Sequence, residues 1–117
     1  MKILHSADWH LCSPLQGRTP EQETLLRHHL RQLPSKVAAM CKQYSCDMML
    51  LAGDLFDGPY DADMLQLLKD ALRDAAVPVF ITPGNHDFCT ADSPWLTEKW
   101  PENVHIFTKL LVLLINK

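Results

Sequence analysis

The 117-residue chain has no excess of positive charge: 11 Lys and Arg stand against 14 Asp and Glu, a formal net charge of −3. As a whole it offers nothing to draw in nucleic acid or an anionic membrane surface. A local basic cleft, or bound divalent cations, would still reverse the sign locally. It has no long hydrophobic run either. The longest apolar stretch, residues 110–115, is far too short to cross a bilayer, and the first residues carry no signal-peptide core. Among the four cysteines (Cys12, Cys41, Cys46, Cys89) there is no Cys-x-x-Cys pair, which predicts reduced thiols and a cytoplasmic setting. No internal repeat, low-complexity tract or linker interrupts the chain. What remains is an ordinary globular composition, 47% hydrophobic and 21% charged, in a length that fits one small domain or a piece of a larger one.

The pattern alternates strand and helix. Residues 2–7 read as a first strand and 12–17 as loop. Thr19-Pro20-Glu21-Gln22 then reads as a helix start, because Thr19 can cap, Pro20 suits the first helical position and Gln22 sits where a capping-box partner belongs. Leu26, Leu30, Leu33, Val37, Met40 and Tyr44 continue as an apolar stripe at helical spacing. Pro34 lies inside that stripe and predicts a kink or two abutting helices. Residues 47–52 are nearly continuous apolar sequence ended by Gly53, as expected of a strand buried on both faces. Residues 61–75 form a second helix with Met64, Leu68, Ala71, Leu72 and Ala75 inward and Lys69, Asp70, Arg73 and Asp74 solvated. Residues 77–81 make a third strand, 92–100 a short helix or turn-rich loop, and 104–107 a possible fourth strand. The order predicts an α/β fold, a βαβαβ unit with a parallel sheet.

Chemistry-bearing residues fall just after the predicted strands: Asp8-Trp9-His10, then Gly53-Asp54, then Gly84-Asn85-His86-Asp87. Ligands of open parallel sheets bind beyond the carboxyl ends of the strands, so the three segments converge on one rim. In extended backbone alternate side chains share a face, which would direct Asp8 and His10 together and Trp9 elsewhere. Gly53 and Gly84 would let the chain turn and bring Asp54, Asn85 and His86 to the rim. Alone, Asp-x-His is commonly a surface pair and Gly-Asp a turn. In this order, each after a strand, they point to a metal site. Carboxylate, imidazole and amide oxygen suit Mn, Fe or Zn better than a metal that prefers thiolates.

With these motifs the chain resembles the calcineurin-like metallophosphoesterase superfamily, whose signature is Asp-x-His, Gly-Asp and Gly-Asn-His-Asp/Glu. Residues 1–11, Gly53-Asp54-Leu55-Phe56-Asp57, and the stretch 94–101 are similar to its DNA-repair exonuclease branch, the SbcD-like nucleases. The resemblance covers roughly residues 1–106. It implies that Asp8 and His10 bind a first divalent metal, Asp54 bridges two, Asn85 binds the second and His86 is the catalytic imidazole. The implied reaction is two-metal phosphodiester hydrolysis, with ions ~3.5–4 Å apart activating water and holding the phosphoryl oxygens. His86 would protonate the leaving oxygen or steady charge on the phosphate. Asp57 and Asp87 are candidates to orient ligand imidazoles, with capping or solvated aspartates as the plain alternative. Manganese is the expected metal, with Fe or Zn as alternatives. DNA or another phosphodiester is the implied substrate, an SbcC-like coiled-coil ATPase the implied partner, and no membrane is involved. His5 adjoins the site, and either substrate contact or simple packing would account for it. His28 and His29 read as surface residues, and Trp95 and Trp100 as packing.

The chain also departs from the pattern. Cys12 stands where this branch usually has glycine. The further histidine and the Gly-His-x-His motif of the family have no counterpart, because no histidine follows His105. The expectation is therefore the amino-terminal part of the domain over residues 1–107, half of an αββα sandwich, apparently truncated, followed by a divergent apolar tail at 108–117. Such a sheet would expose apolar surface and an unpaired edge and would favour association. A phosphatase or nucleotide phosphodiesterase on the same scaffold, and a truncated non-catalytic domain, are the alternatives to the exonuclease.

Overall fold

A computed structural model describes residues 1–12, 17–56, 61–84 and 93–107. The predicted sites Asp57, Asn85, His86 and Asp87, and the apolar tail 108–117, lie outside these described residues. The elements are β1 (Ile3–Ser6), α1 (Pro20–Gln43), β2 (Met48–Ala52), α2 (Ala62–Ala75), β3 (Val79–Thr82), the one-turn α3 (Pro94–Thr97) and β4 (Val104–Ile106). The strands form one parallel sheet in the order β1-β2-β3-β4. The α/β reading holds, and the possible fourth strand is present.

Helix α1 starts as its sequence dictates. The Gln22 backbone N–H donates to Thr19 Oγ1 at 3.2 Å, and the Thr19 N–H donates to Gln22 Oε1 at 3.1 Å, so two orphan donors are satisfied reciprocally. Glu21 and Glu23 in its first turn complement the helix dipole. The expected division at Pro34 does not occur: α1 is one 24-residue helix, and Pro34 belongs to its buried face with Val37, Ala38 and Cys41. The proline forfeits one backbone bond, and its ring is used as core. The predicted stripe also fails at its far end, where Met40 and Tyr44 are 48% and 56% exposed. A 3.6-residue period drifts against a fixed spacing, and by the last turns Ala38 and Cys41 have taken the inward face.

Asp61 caps α2 by accepting from the Met64 N–H at 2.7 Å, and Met64, Leu65, Leu68, Ala71, Leu72 and Ala75 are buried. Lys69 corrects the expectation of a solvated side chain. Its ammonium pairs with Glu98 at 2.8 Å and stands over the Trp100 ring, 5.7 Å from the centroid. The sequence interval hid this, because the partners come from beyond the next strand. Trp100 in turn stacks on Trp95, with ring centroids 5.4 Å apart, so both tryptophans are packing residues as expected.

Both long helices cover one sheet face. Their buried residues join Met49, Leu51, Val79, Ile81 and Val104 in a single core. The strand residues between these point to the other face, where Ile3 and Met48, then His5, Leu50, Phe80 and His105, lie in register. Phe80 stacks on His105 and on Phe107 there, at 5.2 and 5.9 Å. His5 therefore stands on this second face and not in the rim loops. His28 and His29 are exposed on α1 as expected.

Candidate metal centre

The segments that leave β1 and β2 run on side by side after the strands end. The Asp8 N–H donates to Gly53 O at 3.1 Å, the His10 N–H to Asp54 O at 3.1 Å and the Leu11 N–H to Leu55 O at 2.7 Å. A parallel bridge between Leu11 and Phe56 closes this pairing. Backbone bonds thus tie the first motif to the second. Leu11, Leu55 and Phe56, each 2% exposed or less, anchor both segments in the core.

Trp9 is buried, while Asp8 is exposed and His10 half-buried, so the expected segregation of side chains is present. Its cause differs from simple strand alternation. Asp8 and His10 adopt left-handed backbone, φ +57° and +52°, and Trp9 turns inward, its indole N–H donating to Ser6 Oγ at 2.7 Å. Asp54 is also left-handed, φ +53°. Residues other than glycine occupy this region at a cost of roughly 1–2 kcal/mol each, although Asp and His tolerate it better than most. Three such residues at one rim are backbone strain of the kind that gathers at functional sites.

The third motif reaches the second through its glycine. A Cβ on Gly84 would fall 2.5 Å from both Asp54 N and Asp54 Oδ1. The Asp54 carboxylate therefore lies directly against the residue that precedes Asn85. Gly53 has φ +82°, and a Cβ there would meet Gly84 Cα at 3.0 Å. Gly53 supplies a turn, whereas Gly84 supplies room. On the far side of the third motif, Phe56 packs against Trp95 of α3, with ring centroids 5.6 Å apart. The segment that holds Asn85, His86 and Asp87 is thus held at both ends by the residues around Asp54. Sequence reasoning missed this Phe56–Trp95 contact, and its only signal was two aromatics flanking the motifs.

Cys12, the departure from the expected glycine, is left-handed as well, φ +62°, which is why glycine suits the position. Its thiol lies 3.7 Å from Asp61 Oδ2, and burial, followed by the neighbouring Asp61 charge, pushes its pKa up. Among the described residues no three His, Cys, Asp or Glu side chains converge closely enough to hold an ion by themselves. The hard oxygen and imidazole donors of Asp8, His10 and Asp54 fit a divalent cation in kind.

A family model for calcineurin-like phosphoesterases matches residues 1–116. The chain belongs to the calcineurin-like phosphoesterase family. Across 92% of its length it is 35% identical to the uncharacterized metallophosphoesterase YhaO of Bacillus subtilis, covering 28% of that protein. Across its whole length it is 32% identical to a component of the SbcCD nuclease of Staphylococcus saprophyticus, covering 30% of that protein. The chain therefore spans less than a third of the length of these curated relatives. As a member of this family it carries the three motifs on one rim, in the order in which the sheet presents them. Among the described residues no helix is long and apolar enough to cross a membrane.

Proposed function

We propose that this chain supplies the first ligand half of a two-metal phosphodiesterase centre, and that the protein acts in the cytoplasm on DNA as a repair exonuclease. The observation that carries the reading is the contact of the Asp54 carboxylate with Gly84, together with the backbone bonds from Asp8 and His10 to the Gly53-Asp54 segment. They bring three segments, each carrying metal-ligating residue types, onto one strained rim. The DNA substrate and a coiled-coil ATPase partner of the SbcC type are supported by the name of the Staphylococcus relative, a part of the SbcCD nuclease.

In this reading Asp8 and His10 hold one cation, Asp54 bridges to a second and Asn85 completes the set from this chain. Manganese is the expected ion, with Fe or Zn as alternatives. When bound, the metal pair activates water and neutralises phosphate charge. The chain's own share is to hold the substrate's phosphate at the rim and, through the His86 imidazole, to deliver a proton to the leaving oxygen. Asp57 and Asp87 orient imidazoles.

The test uses calorimetric titration with Mn²⁺ and hydrolysis of bis-p-nitrophenyl phosphate, with linear duplex DNA and p-nitrophenyl phosphate as comparators. Asp54→Asn is expected to weaken Mn²⁺ binding at least tenfold, and His86→Ala to abolish diester turnover while circular dichroism stays unchanged. Equal Mn²⁺ affinity in Asp54→Asn would overturn the metal assignment. Turnover of the monoester alone would replace the nuclease by a phosphatase. Metal binding without turnover of any substrate would leave a non-catalytic domain.

A further inference from the structure

Helix α1 ends in a six-residue motif whose two contact positions are both cysteine. Its C-cap is Tyr44, and Ser45 follows in left-handed backbone, φ +51°. The Ser45 N–H donates to Lys42 O at 3.1 Å and the Cys46 N–H to Cys41 O at 2.9 Å. This is the double bond pattern of a Schellman motif, in which the residue two beyond the cap folds back onto the residue three before it. An apolar contact normally fills that junction. Here it is filled by the thiols of Cys41 and Cys46, which are hydrogen-bonded to each other. Cys41 is buried in the core at 1% exposure, and Cys46 is half-buried at its margin.

We propose that Cys41 and Cys46 form a reversible dithiol–disulfide pair that reacts with peroxides. The half-buried Cys46 meets the oxidant first. Its thiolate attacks one peroxide oxygen, the S–O bond forms, the O–O bond breaks, and hydroxide leaves to become water. The Cys41 sulfur then attacks the Cys46 sulfenic acid. The S–S bond forms, the S–O bond breaks, and the second water leaves with the Cys41 proton. The thiol pair loses two electrons and two protons, and the peroxide is reduced to two waters. The order of events follows from burial, which pushes the Cys41 thiol up in pKa and keeps it a poor first nucleophile. The motif lies where α1 joins β2, at the end of the sheet opposite the metal rim, so the pair is separate from the phosphoesterase chemistry.

The test is a non-reducing tryptic map of the full chain after stoichiometric hydrogen peroxide. Trypsin cuts at Lys42, between the two cysteines, and separates residues 37–42 from 43–69. The expected product is these two peptides joined, with a mass loss of two hydrogens. Thiols counted in denaturant are expected to fall from four to two and to return to four with dithiothreitol. Cys46→Ser should lose the cross-link while Cys12→Ser keeps it. A cross-link through Cys12 or Cys89, or sulfinic acid on Cys46 with Cys41 still free, would overturn the proposal.

Discussion

Gly84 has no side chain because Asp54 occupies the place where one would be. A methyl group there would meet both the Asp54 amide nitrogen and its carboxylate oxygen at 2.5 Å. One added carbon must displace a candidate ligand or its backbone. Gly84→Ala is expected to cost about 1–3 kcal/mol of stability, the range of overpacking in a rigid site, measured by urea denaturation. Its Mn²⁺ affinity, measured by calorimetry, should fall by about tenfold or more if the Asp54 carboxylate is a ligand.

Cys12 gives a cleaner measurement of backbone strain. Cys12→Gly and Cys12→Ala both remove the thiol, and they differ only in the Cβ that a left-handed residue must carry. The glycine variant is expected to be the more stable by about 1 kcal/mol, read as a difference in urea midpoints at equal slope. Equal midpoints would mean that the loop relaxes out of the left-handed region.

The Lys69–Glu98 pair should behave unlike the surface pairs. Lys69 is only 12% exposed and also lies over Trp100, whereas Arg27 and Glu23 are 50% and 40% exposed. Lys69→Ala is expected to cost about 1–2 kcal/mol through the lost charged bond and ring contact. Glu23→Ala should cost less than about 0.5 kcal/mol. Added salt should erode the second effect more than the first.

Alkaline pH should weaken the fold partly through Cys41. Burial holds its pKa above the ordinary thiol value, so the folded state favours the neutral thiol. That contribution is fully present below the unfolded thiol pKa of about 8.5 and is lost as pH rises through the folded pKa, because the unfolded chain gives up the proton first. Between pH 7 and 10 the wild type should lose more stability than Cys41→Ala, by urea denaturation under reducing conditions. Parallel losses would show that Cys41 ionises alike in both states.

Much of this is legible in the sequence because it is locally encoded. The capping box at Thr19 and Gln22, the apolar run that becomes β2 and the three rim motifs each depend on a few adjacent residues. The misreadings share a cause. Pro34 reads as a break because local rules count the lost backbone bond, but not the core position its ring fills. Met40 and Tyr44 read as inward because a fixed spacing drifts over 24 residues. Lys69 reads as solvated because Glu98 and Trp100 arrive only after β3. The same holds at the rim. Asp54 is legible as a ligand candidate, but the reason for Gly84 beside it, and the grip of Phe56 on Trp95, exist only once three strands stand side by side.

The strand order has a consequence for how the rim is assembled. Every strand pairs with the next one in the chain, so no later strand must be threaded between two earlier ones. The sheet can be laid down from one edge in the order in which the residues are synthesised. Asp8 and His10 are positioned by the second strand and Asp54 by the third, so each ligand segment is fixed by the strand that follows it. The edge left open at β4 is the newest, and it is where any further strand of this sheet would add.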